Sequence, residues 1–182
     1  MIKRHTLAAS LILLCLGILG RLLPHLWNAT PVGAIALFAT AYLGYGRSIL
    51  ITFGILALSD IFLGSYSWPV MVSVYGSFVL ISYLGNLAKK SMARSVFASL
   101  LSSTVFFLIT NFAVWKYTSM YDAELGGLLN SYIAGLPFYK NMVVGDIFYT
   151  TMLFGAYKYL TYLFSKNISF TKSVFDNRLR GL

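Results

Sequence analysis

Read for hydrophobic and polar positions, the chain divides into apolar runs separated by short stretches that hold most of its charge. A membrane-spanning helix needs about 20 mostly apolar residues, with some tolerance. Six runs approach that length: residues 6–23, 32–45, 48–64, 68–87, 95–115 and 141–164. Arg21 and Pro24 close the first, and a loop with Asn28 and Pro31 leads to the second. Arg47 precedes the third, Pro69 suits the first turn of the fourth, and Lys89, Lys90 and Arg94 separate the fourth from the fifth. The second run is short, and Ala36, Thr40 and Gly44 recur every four positions, a pattern that lets membrane helices approach closely. It is expected to cross as a short buried helix, with a re-entrant segment as the alternative. The longest connection is residues 116–140, whose apolar middle, 126–136, suits a segment lying against the membrane or capping a cavity. A proline turn at Pro137 then opens the sixth run, and residues 165–182 form a polar, basic tail.

Composition turns this pattern into a fold class. The chain is 58% hydrophobic and 10% charged, with a mean hydropathy of +0.76. Soluble domains carry about 25% charged residues, so these residues cannot furnish a water-facing surface. The expectation is a single all-α integral membrane domain, a bundle of six transmembrane helices. The net charge of +9 is then a topology signal rather than a nucleic-acid footprint. With six spans, Lys3, Arg4, Arg47, Lys89, Lys90, Arg94, Lys166, Lys172, Arg178 and Arg180 share the side of the termini. Arg21, Lys116 and Lys140 lie opposite, and Lys158 sits within the last span. Ten against three places both termini in the cytoplasm. A five-span arrangement loses that bias. The basic, apolar start resembles a secretory signal but lacks a small-residue cleavage site, so it is expected to remain as the first span.

Several chemistries drop out. Cys15 is the lone cysteine, which excludes an intramolecular disulfide and a Cys-cluster metal site. His5 and His25 fall on opposite sides of the membrane, and no glycine-rich phosphate loop is present. No metal, cofactor or catalytic group is therefore expected.

What remains is a gathering of polar residues at one end. Arg21, His25, Trp27 and Asn28 lie at or just after the end of the first span; Asn111 and Trp115 end the fifth, and Asn141 begins the sixth. Asp60 lies about 6 Å inside the end of the third span, and Asp146 about 8 Å beyond Lys140 and Asn141. A carboxylate within a bilayer is costly and usually has a partner or a purpose. These nine residues are the candidate substrate-binding set. Asp146, Tyr149 and Thr150 share one helix face, as do Thr104, Asn111 and Trp115. The bland alternatives are that Arg21 pairs with Asp60 or Asp146, that Asn111 bridges helices, and that the tryptophans anchor at the interface.

These same stretches carry a resemblance. RLLPH (21–25), NATPVGAIALFA (28–39), LSDIFLG (58–64), TNFAVW (110–115) and LPFYKNMVVGD (136–146) resemble a bacterial family of transport-type membrane proteins with no assigned substrate. That family is similar in turn to the S components of energy-coupling-factor (ECF) vitamin transporters. The resemblance implies a six-helix bundle in the bacterial inner membrane, with an outward-facing cavity for a vitamin or related metabolite. It also implies an energising partner, a transmembrane coupling protein driven by two ATPases, in keeping with the missing nucleotide motif. Many S components dock that partner through an alanine-spaced AxxxA motif on the first helix. Here Ala8, Ala9, Gly17 and Gly20 make no such pair, and the Ala36, Thr40, Gly44 face is the available substitute. The cysteine that ligands cobalt in some solitary S-like proteins is not matched by Cys15, which lies towards the cytoplasmic side.

The expected function is binding and import of a small metabolite. Asp60 and Asp146 would take cationic or donor groups, and Arg21 would neutralise them or grip a carboxylate. Asn111 would orient the ligand, and Trp115 or Trp27 would stack on a ring. A non-transporting scaffold that seals its polar groups in pairs is one rival. The other is a lipid-modifying enzyme that uses the two acids.

Overall fold

The computed structural model describes the backbone of residues 2–24, 26, 28–64, 66–89 and 91–179, with side chains from 5 to 166. Its order is α1 (Ile2–Leu22), α2 (Val32–Leu43), α3 (Tyr45–Leu63), α4 (Trp68–Ala88), α5 (Met92–Tyr117) and α6 (Leu125–Leu179). The chain is all-helical, as composition requires. Four helices, His5–Leu22 within α1, and α3, α4 and α5, are long and apolar enough to cross a membrane. The apolar α2 is shorter, and α6 carries Lys140, Asn141, Asp146 and Lys158 among its apolar residues and is not one of the four.

Local chemistry sets the breaks. α1 ends before Pro24, whose ring disfavours helical geometry in the residue ahead of it. α2 and α3 are joined by Gly44 alone, at φ +98°, a conformation that glycine adopts without a Cβ penalty. Pro69 falls in the first turn of α4, and the Ser91 side chain accepts the Arg94 N–H at the start of α5. Arg94 and Lys116 lie inside α5, so the helix outruns the apolar stretch at both ends. The largest departure from the sequence pattern is α6. Residues 125–140 continue the helix instead of forming a connection, and Pro137 lies within it. Proline removes one intrahelical bond, and long helices of membrane proteins tolerate that when neighbours support the backbone. The α5–α6 connection shortens to residues 118–124, fastened by Trp115 Nε1 donating to the Asp122 carbonyl at 2.9 Å.

α2 is the axis of the bundle. It touches all five other helices and is buried along almost its whole length. Ala34, Ala36, Ala39 and Ala41 leave room for close neighbours, and a Cβ on Gly85 of α4 would come within 2.5 Å of the Thr40 Cβ. The Ser48 hydroxyl of α3 donates to the Ala36 carbonyl at 2.7 Å and lies 3.0 Å from Ser82 of α4, tying three helices together. On α1, Gly17 admits Ile55 and Gly20 admits Pro31. Ala36 and Thr40 thus face inward and Gly44 forms a turn, so this set is not an outer docking face. Outside, Leu50 and Phe62 are each 74% exposed and Trp68 71%. So much bare apolar surface is what a lipid-facing bundle presents.

Near one end Phe38 and Tyr42 of α2 pack against Phe154 and Tyr157 of α6, with ring centroids 4.1–5.7 Å apart, and an open hollow of about 490 Å³ lies between α1 and α3 beside Ser10 and Arg47. The other, hollow end holds a cavity that reaches between the helices.

Candidate functional site

The hollow end is built where the α1–α2 loop crosses α6. A Cβ on Gly145 would come within 2.9 Å of the Ala29 Cα, so glycine there lets the loop lie directly on the helix. Asn28 adopts φ +63°, a left-handed conformation that asparagine tolerates better than most residues. Asn28 contributes to both chambers of a cavity beneath the loop. The larger chamber, about 340 Å³, is lined by α4, α5 and α6 residues including Phe106, Phe107, Thr110, Asn111, Phe138 and Tyr139. The smaller, about 200 Å³, takes in Arg21, Thr30, Val32, Leu56 and Phe78. Asn28, Tyr66, Val74, Phe106 and Met142 line both, so the chambers adjoin.

Arg21 reaches this cavity with its charge engaged. Its Nη1 donates to Ser59 Oγ at 2.8 Å and stands 3.0 Å from Asp60 Oδ1, with the two side chains 16% and 14% exposed. The Tyr75 hydroxyl donates to Asp60 Oδ2 at 3.2 Å. Tyr66, in the α3–α4 connection, has its phenol pushed up to about 12, first by burial and then by the Asp60 charge. Asp60 is therefore enclosed by an arginine and tyrosines and is not among the residues lining the cavity.

Asp146 is further from the hollow. Its side chain is 2% exposed, and Ser103 of α5 donates to Oδ2 at 2.7 Å. Its carboxylate lies against Gly33, in the first turn of α2, where helix N–H groups carry partial positive charge and α2 has no side-chain cap of its own. It too is absent from the cavity wall. Thr150, one turn on along the same face, is fully buried, and Tyr149 lines an apolar hollow between α1 and α6 instead.

On α5, Asn111 lines the larger chamber, with its Nδ2 donating to the Phe107 carbonyl at 2.9 Å and its Oδ1 facing Gly135 of α6. Thr104 pairs with the Tyr139 hydroxyl at 2.9 Å. Trp115 is turned towards the 118–124 connection, with Lys116 over its ring at 5.6 Å, and Asn141 is half-buried; neither lines the chambers. His25 and Trp27 lie outside the described residues.

Of the nine candidates, Arg21, Asn28 and Asn111 thus meet at one cavity, while Asp60 and Asp146 stand behind its walls. The aromatic wall was not singled out from the sequence. Phe107 lies four residues before Asn111, so helical spacing from Asn111 would have found that ring, whereas Phe106 lies four before Thr110, which was not a candidate. Tyr139 carried no signal while residues 116–140 read as a loop.

No curated protein and no solved structure matches this chain. A family model matches residues 1–168, nearly the whole length, and the chain belongs to that family of unknown function (DUF6580).

Proposed function

We propose that this protein is the membrane-embedded binding component of an importer, taking a small metabolite into the two-chambered cavity from outside the cell. The observation that carries this reading is the cavity itself. Residues from all six helices line it, and five residues are common to both chambers. An aromatic hollow with a few amide and hydroxyl groups is how small-molecule sites are usually built. The six helices then act as six crossings, with the basic termini in the cytoplasm of a bacterial inner membrane. The hollow faces outward, and the Phe38–Tyr42–Phe154–Tyr157 cluster packs near the inner end. Release inward requires that cluster or the whole bundle to move. The energy for this comes from a partner, an ECF-type coupling protein and its ATPases in the S-component-like version of the reading.

The scaffold reading draws on the Arg21–Asp60 pair and the enclosed Asp146, both of which hold helices together. Against it stands the volume left open beside them. The lipid-enzyme reading asks for both acids in one laterally open site, and each has its own separate partner.

Native mass spectrometry of the full chain, released gently from cells grown on several media, tests the proposal. A co-purified small molecule is expected, and Val74→Trp, which fills the junction of the chambers, should remove it. A protein partner with no small molecule in any medium would overturn importer in favour of scaffold.

A further inference from the structure

The charge inside the cavity is accounted for before any ligand arrives. Among the described residues of its wall, Arg21 is the one charged side chain, and Asp60 and Ser59 already engage its guanidinium. An ion entering such a hollow would lose its hydration without a counter-charge to replace it, which disfavours its binding. The roles expected of the acids, to grip a cation, have no carboxylate in the wall to serve them.

Rings dominate the larger chamber. Phe107 and Tyr139 pack with centroids 4.7 Å apart at 34°, and Phe106 stands at the junction of the two chambers. A flat aromatic molecule matches such a wall by offset stacking and edge contacts. The Asn111 side chain gives one Nδ2 hydrogen to its own helix and retains a second, while its Oδ1 lies beside Gly135 of α6 at the chamber wall. Donor and acceptor sit side by side on one amide, the complement of another amide or lactam edge. The smaller chamber adds Thr30 and the remaining Arg21 N–H groups, suited to a short polar arm.

Resting on the binding reading above, we propose that the cavity selects an uncharged, elongated molecule, an aromatic ring with an amide-like edge in the larger chamber and a short polar arm in the smaller. Taken together, adjoining chambers of about 340 and 200 Å³ fall within the range that encloses drug-sized ligands. Selection against ions comes from the Arg21–Asp60 pair: it leaves the wall without net charge, so neither sign of ligand finds a partner.

Three probes of one shape separate the terms: 2-quinolone, which is neutral with a lactam edge, N-methylquinolinium, a cation, and quinoline-2-carboxylate, an anion. Binding to the full chain in detergent is read by equilibrium dialysis and by the shift in unfolding temperature. The lactam is expected to bind at least about tenfold tighter than either ion. Asn111→Leu should weaken the lactam about tenfold, and Val74→Trp should abolish its binding. Equal or tighter binding of either ion, lost in Val74→Trp, would overturn charge selection while leaving the importer reading intact. Lactam binding that survives Val74→Trp lies elsewhere and also overturns the inference. If no probe binds, the charge of any co-purified molecule displaced by Val74→Trp decides, an ion counting against. With no such molecule either, the inference and the importer reading fall together.

Discussion

The carboxylate of Asp146 lies so close to Gly33 that a Cβ on that glycine would sit 2.6 Å from Oδ1. An acid on α6 and a glycine on α2 are thereby fitted to each other. Among the described residues, the Ser103 hydroxyl is the donor from which this buried acid accepts a hydrogen bond.

Gly33→Ala should destabilise the folded chain by about 1–3 kcal/mol, the usual result of overfilling a packed site. Asp146→Ala removes the obstacle, and Ser103 keeps its second acceptor, the Ser99 carbonyl at 3.1 Å. The double variant should therefore be more stable than the single losses predict, by at least roughly 0.5 kcal/mol. Thermal unfolding in detergent gives the cycle, and strict additivity would refute the contact.

Arg21→Met leaves Asp60 in its enclosure with tyrosine contacts alone. A loss on the order of 2 kcal/mol is expected, less than for a wholly buried pair because both side chains keep some exposure. Arg21→Met combined with Asp60→Leu should recover most of it. If the single and double variants unfold together, the pair contributes no stability.

Tyr66 gives a pH signature. Its phenol ionises at about 12 in the folded chain against an ordinary 10.0, so the folded form holds the proton longer. Its contribution to stability is complete below pH 10 and is lost as the pH rises through about 12. The wild-type unfolding temperature should fall across that window more steeply than that of Tyr66→Phe. Identical slopes would mean that Tyr66, which is 36% exposed, does not feel the Asp60 charge.

Trp115→Phe should cost about 1 kcal/mol by losing the bond to the Asp122 carbonyl. Ligand affinity should stay unchanged, because the ring is turned away from the chambers. A large fall in affinity at normal stability would restore the stacking role expected of it.

The apolar runs, their lengths and the shortage of charge determined by themselves an all-helical chain with helices long and apolar enough to cross a membrane. Those properties depend on solvation of one segment at a time, and a single sequence carries them. The stop at Pro24 and the start at Pro69 were legible for the same reason, whereas Gly44 read as a packing position and proved to be the turn between α2 and α3. The helix over 125–140 was not, because Gly126, Gly127 and Pro137 argue locally for a break and the supporting contacts come from α5, as where Tyr132 donates to the Leu108 carbonyl. The site divides along the same line. The gathering of Arg21, Asn28 and Asn111 at one end follows from where Arg21 and Asn111 stand in their helices and from the loop position of Asn28. Whether an acid faces a cavity or a neighbour is a matter of rotation about the helix axis and of what packs beside it. Only the tertiary structure decided that Asp60 answers Arg21, that Asp146 answers Ser103 and α2, and that the open space between them is walled by aromatic rings and amides.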